Sequence, residues 1–156
     1  CNYEDMEKII LHSIKIKNEI VLKDPKENGL RKILNFGHTI GHALESFSLK
    51  NDNNPLVHGE AIAIGIICEA YLSQKISGLK KKELNEITSY IMKKYPNINM
   101  DTKIFPELIE LMKKDKKNEN ESINFSLLSQ IGKCVINQNC NDSLILESLN
   151  FYNGLS

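Results

Sequence analysis

No sign of charge predominates in these 156 residues: Lys and Arg together number 20, and Asp and Glu together number 20. A net charge of zero argues against a general nucleic-acid binder or a polybasic membrane binder, both of which need a cationic excess. The four cysteines, at 1, 68, 134 and 140, include no C-x-x-C pair. Neither a disulfide framework nor a cysteine-based zinc site is therefore expected, and a reducing cytoplasm is the simplest setting. There is no long hydrophobic run; the most apolar stretch, 61–68, is far too short to span a bilayer. Signal-peptide features are also lacking, since the opening CNYEDMEKII is polar and acidic. A first residue other than Met leads to the expectation of a chain that starts part-way into a longer protein. The low hydrophobicity of a disordered chain is missing too: at 41% hydrophobic and 26% charged, the composition is that of one globular domain able to bury a core without staples. No internal repeat is visible.

What is there reads mostly as helix. Over 3–22, Met6, Ile9, Ile10, Ile14, Ile16 and Ile20 recur at helical spacing. Asp24-Pro25 ends that segment, because proline disfavours helical geometry in the residue before it. A second helix is expected over 30–49, followed by the turn-rich KNDNNP. A third, over 58–74, is apolar on nearly all sides and should be the central buried helix. An amphipathic helix over 80–94 turns Leu84, Ile87 and Ile91 inward, and a short helix follows over 105–114. Two short strands, 123–128 and 133–136, join through Gln130-Ile131-Gly132, and a final helix over 142–149 is capped by Asp142 or Asn141. The expected fold class is all-α with a small β-hairpin, a single helical domain over 1–156.

The chemistry gathers in RKILNFGHTIGH. On one helix, Arg31, Asn35, His38 and His42 stand at i, i+4, i+7 and i+11 and form one polar stripe, which Glu45 extends. Gly37 and Gly41, four apart, leave a smooth strip for close approach of another backbone. Each costs about 1 kcal/mol inside a helix relative to alanine, so packing or ligand access must require them. Two imidazoles on one face can share a metal ion or divide ligand and acid–base roles. His58, at the start of the buried helix, can complete such a site, and Glu60 is a candidate to support it. On these residues alone the alternative stays open that the histidines are ordinary hydrogen-bonded surface groups. Lys17, Glu27 and the run Asp115-Lys116-Lys117 read singly as solvated charges, and His12 as a surface histidine.

The run DPKENGLRKILNFGHTIGHALE, followed by LVHGEAIAIG, resembles the C-terminal domain of the 3-dehydroquinate synthase family. So do D-x-x-E-x-G-x-R over 24–31, the later D-K-K, and L-L-x-x-I-G-K over 127–133. The resemblance spans about 17–149. It implies a shikimate-pathway lyase similar in architecture to glycerol dehydrogenases, with an N-terminal nucleotide-binding domain that this sequence does not contain. The implied reaction converts 3-deoxy-D-arabino-heptulosonate 7-phosphate to 3-dehydroquinate and phosphate. It proceeds by transient NAD-dependent oxidation of one hydroxyl, phosphate elimination, re-reduction and ring closure.

By the match, His38 and His58 are metal ligands, with a third from an earlier segment. The metal is a divalent ion, zinc or cobalt. His42 and Glu27 are acid–base groups, and Lys17, Arg31, Asn35 and His38 contact substrate, with Lys116, or Lys117 beside it, adding a cation. NAD is bound mainly by the missing domain, so this chain alone is expected to be inactive. The implied partners are a small phosphorylated sugar acid and, for the full-length enzyme, a second copy in a homodimer, with no nucleic acid or membrane. After D-K-K the sequence NENES departs from the family pattern. A related sugar-phosphate cyclase, a metal-dependent polyol dehydrogenase, and a non-catalytic helical interaction module with structural histidines are the alternatives.

Overall fold

The computed structural model describes residues 3–114 and 123–155. The order of elements is α1 (Tyr3–Lys23), a 3₁₀ turn (Leu30–Asn35), α2 (His38–Asn51), α3 (His58–Ile76), α4 (Lys81–Lys94), a second 3₁₀ turn (Thr102–Ile104), α5 (Phe105–Lys114), β1 (Asn124–Gln130), β2 (Lys133–Asn139) and α6 (Asp142–Asn153). The all-α class with one hairpin stands as the sequence predicts.

The apolar run of α3 makes it the centre. Ala61, Ala63, Ile64, Ile67, Cys68, Ala70 and Leu72 are buried along it, and α2, α4, α6 and β1 all pack on it. Its core neighbours include Ile40 and Leu44 of α2, Leu108 and Met112 of α5, Phe125 and Leu127 of β1, and Ile145 and Leu149 of α6. Each such aliphatic or aromatic side chain stabilises the fold by roughly 1.5–3 kcal/mol on leaving water. Leu84 of α4 joins Ala70 and Leu79 in a smaller adjoining cluster.

Helix ends follow local chemistry. Asn141 accepts from Leu144 N at 2.9 Å and starts α6. Glu83 accepts from Lys80 N at 3.1 Å at the start of α4 and from Ile131 N at 2.9 Å in the hairpin turn. The antiparallel hairpin pairs Leu127 with Val135 and Gln130 with Lys133, and Gly132 takes φ +83° in its turn. Ser73 fastens this hairpin to α3, since its hydroxyl accepts from Leu128 N at 2.9 Å and donates to Glu69 O.

The structure overturns the single helix over 30–49. The chain runs as a 3₁₀ turn to Asn35, breaks at Phe36-Gly37 with Gly37 at φ +83°, and restarts as α2 at His38. The break has two causes. Gly37 adopts a left-handed conformation that costs a side-chain-bearing residue free energy. Its N–H is also captured by Glu69 of α3 rather than by a carbonyl of a preceding turn. Hydrophobic spacing cannot register either effect. Helix α1 carries no buried residue and makes its main contact with the 3₁₀ turn.

Candidate metal and substrate site

Two helix starts bring three imidazoles together. His38 opens α2, His42 follows one turn later, and His58 opens α3. The ring centroids lie 5.2 Å apart for His38–His42, 5.9 Å for His38–His58 and 5.8 Å for His42–His58. One potential ligand nitrogen from each ring lies within 4.8 Å of the other two. His38 and His42 are half-buried and His58 is exposed, so the cluster opens outward and is not sealed in the core.

The two helices meet this closely because glycine lines their seam. A Cβ on Gly65 would fall 2.0 Å from Gly37 O and 2.8 Å from Gly41 N, and one on Gly41 would fall 3.1 Å from Ala61 O. The glycine strip read from the sequence is therefore a backbone-to-backbone contact. It holds the first turn of α2 against residues 61–66 of α3.

Hydrogen bonds orient two of the rings. His38 Nδ1 lies 3.1 Å from Phe36 O. A carbonyl only accepts, so Nδ1 carries the proton and the lone pair of neutral His38 is on Nε2. His58 Nδ1 lies 3.1 Å from the Glu45 carboxylate, which imposes the same tautomer. Imidazoles that ligate metals characteristically give their other N–H to a carbonyl or carboxylate in this way. The donor set, three ring nitrogens presented together with the second nitrogens of His38 and His58 anchored, suits a borderline divalent ion such as zinc or cobalt. Glu60 does not support His58: its carboxylate turns back to accept from Val57 N at 3.2 Å, and Glu45 takes the place proposed for it.

Glu27, Arg31 and Asn35 form a second group on the loop and 3₁₀ turn before α2. Asn35 Nδ2 donates to Glu27 Oε1 at 2.7 Å, and Arg31 Nε lies 3.8 Å from Glu27 Oε2. Arg31 also donates to Pro25 O at 3.1 Å. The loop is wound around Asp24, whose carboxylate accepts from Asn28 N, Gly29 N and Arg31 N at 2.8–3.1 Å. Those backbone donors, Arg31 N first, hold the Asp24 carboxyl below its usual value. Asp24 and Gly29 thus shape the D-x-x-E-x-G-x-R segment, and Glu27, held at φ +57°, Arg31 and Asn35 project from it. The four-residue stripe expected on one helix is therefore divided between the 3₁₀ turn, which carries Arg31 and Asn35, and α2, which carries His38 and His42. Lys17 is exposed on α1, and Lys116 and Lys117 lie outside the described residues.

Sequence reasoning missed Glu69. It is fully buried in α3, with Oε2 accepting from Gly37 N at 2.6 Å and Oε1 from Ile40 N at 3.1 Å. Burial pushes its carboxyl up to about 8, against the pull of the Gly37, Ile40 and Thr39 backbone N–H groups. Its signal was a lone acid inside a helix otherwise apolar all round.

Residues 1–118 match the family described as 3-dehydroquinate synthase C-terminal. A 3-dehydroquinate synthase of Parabacteroides distasonis is 46% identical over 151 residues, covering 97% of this chain and 42% of the relative. That of Campylobacter jejuni subsp. jejuni serotype O:23/36 is 35% identical over 149 residues, covering 96% and 42%. The chain thus spans about two-fifths of the length of these relatives. Among solved structures, a 2-deoxy-scyllo-inosose synthase complexed with carbaglucose-6-phosphate, NAD+ and Co2+ superposes with a TM-score of 0.76 at 22% identity, covering 94% of this chain and 42% of that one. The 2-epi-5-epi-valiolone synthase ValA of Streptomyces hygroscopicus subsp. jinggangensis 5008, with NAD+ and Zn2+ bound, gives 0.73 at 18%, covering 96% and 40%. At these identities the two structures share the fold. The family match and the 46% identity together establish that this chain belongs to the 3-dehydroquinate synthase C-terminal domain family.

Proposed function

We propose that the chain is the metal- and substrate-binding half of a two-domain 3-dehydroquinate synthase, acting on 3-deoxy-D-arabino-heptulosonate 7-phosphate with phosphate as leaving group. The observation that carries this reading is the convergence of His38, His42 and His58 from two helix starts, with His38 and His58 anchored through Nδ1. The 46% identity to a 3-dehydroquinate synthase supports this substrate over that of a related cyclase.

In this reading Nε2 of His38 and of His58 would hold the divalent ion. When bound, the ion and NAD supply polarisation of a substrate hydroxyl and its reversible oxidation. His42, one turn from His38 and 5.8 Å from His58 ring to ring, takes and returns the proton at the reacting carbon or oxygen. Glu27 is the second proton acceptor, and its hydrogen bond from Asn35 fixes its direction. Arg31 supplies a planar cation for carboxylate or phosphate oxygens, and Asn35 an amide donor for a hydroxyl. Lys17 and Lys116 carry over from the family resemblance as point charges for the anionic substrate. The half-open setting gives a polyanionic substrate entry while the α2–α3 seam keeps the imidazoles fixed.

The experiment is a substrate panel with the full-length protein, paired with metal analysis. Turnover of the heptulosonate phosphate and loss of bound zinc in His38→Ala are expected. Turnover of glycerol but not of the heptulosonate phosphate, or unchanged metal content in His38→Ala, would reject the reading.

A further inference from the structure

Glu69 has no place in the acid–base or substrate-binding roles above, yet it is a fully buried acid sent from α3 into the first turn of α2. Its carboxylate accepts from Gly37 N and Ile40 N, the residues on either side of His38-Thr39. Those N–H groups are among the four that any helix start leaves unsatisfied. Local side chains normally cap them, but here the residue before α2 is Gly37, which has no side chain to do so. The cap comes instead from the helix that carries His58. The same helix also hooks the hairpin through Ser73, one turn beyond Glu69.

This arrangement sets His38 in two ways. The Gly37 bond fixes the left-handed break, and that break places Phe36 O where it holds His38 Nδ1. The Ile40 bond fixes the rise of the first turn, from which the ring projects. Glycine contacts at the seam set the distance between α2 and α3, and Ile40, Ala43 and Leu44 seat α2 in the core. The two-oxygen clamp adds the tie that fixes the backbone of its first turn.

Resting on the function proposed above, we propose that Glu69 is the positioning residue for the metal site: it fixes the direction of the His38 ring relative to His58 and thereby the affinity for the divalent ion. Removing the clamp frees the backbone of the first turn of α2, so His38 Nε2 drifts from the point it shares with His58. Partners that orient ligating histidines typically contribute about 10- to 100-fold in metal affinity.

The test uses Co2+ titration of the full-length protein, read by its ligand-field absorption, for wild type, Glu69→Ala, Glu69→Gln and the core control Leu149→Ala. Glu69→Ala should weaken Co2+ about 10- to 100-fold and change the band shape. Glu69→Gln keeps one acceptor oxygen and should recover part of that loss. Leu149→Ala lowers stability from α6, which carries none of the three histidines or Glu69, and should leave the affinity of the folded protein and the spectrum unchanged. Wild-type affinity and spectrum in folded Glu69→Ala overturn the proposal, as does an equal loss in Leu149→Ala. If Glu69→Ala does not fold, Glu69→Gln decides alone, and wild-type binding by it overturns the proposal. Failure of both to fold assigns Glu69 to folding and also overturns it. If wild type binds Co2+ no better than His38→Ala, the function reading itself falls, which sets that failure apart from failure of the clamp.

Discussion

Replacing Gly65 by alanine adds one methyl group at the tightest point of the molecule. That carbon would sit 2.0 Å from Gly37 O, 3.0 Å from Gly37 C and 2.8 Å from Gly41 N, all backbone atoms. Ordinary contact begins near 3.4 Å, so α2 and α3 must part by more than an ångström, and no side chain can swing aside to relieve them. Two effects compete. Alanine in a helix interior is worth about 1 kcal/mol more than glycine. Overpacking a rigid seam costs typically 1–3 kcal/mol, and the upper end applies where only backbone can yield. The overpacking term wins, leaving a net loss of roughly 1–2 kcal/mol once the propensity gain is set against it. For a chain of this size that lowers Tm by roughly 2–8 °C. Urea unfolding followed by far-UV circular dichroism should show a lower midpoint at unchanged slope, and Co2+ affinity should fall because His38 and His58 ride on the two displaced helices. An alanine variant equal to or more stable than wild type would show that propensity governs this position, and would refute the close backbone approach.

Four further outcomes are expected. Glu45→Gln should weaken divalent-metal binding about 10-fold by isothermal titration, because His58 loses the carboxylate at its Nδ1; unchanged affinity would count against that tautomer. For Glu69, the folded-state value of about 8 lies above the usual 4.5, so the folded chain holds a proton that the unfolded chain releases between those values. Its stabilising contribution is complete below about pH 4.5 and is lost as pH rises toward 8, with a slope of about 1.4 kcal/mol per pH unit; the metal-free chain should lose urea resistance from pH 5 to 8, and Glu69→Gln should flatten that dependence. Asn141→Ala removes the cap on Leu144 N and should cost about 1 kcal/mol in denaturant unfolding. Leu149→Ala, at a fully buried position in the main core, should cost roughly 2–5 kcal/mol by the same measure.

The long helices were legible because burial imposes a period. The apolar run of α3 and the Leu84–Ile87–Ile91 spacing of α4 declare their faces. The hairpin was legible from Gly132 between two apolar segments, although β2 extends to Asn139, beyond its apolar core. The histidines were legible as a constellation, since helical spacing pairs His38 with His42 and the sequence HGEA starts a helix. The break at Gly37 was not legible, because the group that stabilises it stands thirty-two residues away on another helix. The same break ends the helix that would have carried all four polar residues, leaving Arg31 and Asn35 on the 3₁₀ turn, where they group with Glu27. Glu69 was hidden by its own surroundings: periodicity registers an acid among apolar residues only as a lapse in the pattern, while its partners are backbone groups that carry no sequence signature.

Both His38 and His58 are the opening residues of their helices, and that carries an electrostatic consequence. The leading end of an α-helix presents the equivalent of about half a positive charge. Two such ends converge on the imidazole cluster, so an incoming dication meets repulsion before it meets nitrogen. Two carboxylates stand against that field: Glu60 on the leading end of α3 and Glu45 beside His58. The acids spread around the cluster are thus a counterweight that makes a cationic occupant tolerable, and neutralising either of them should be felt at the metal even where no atom of that acid touches it.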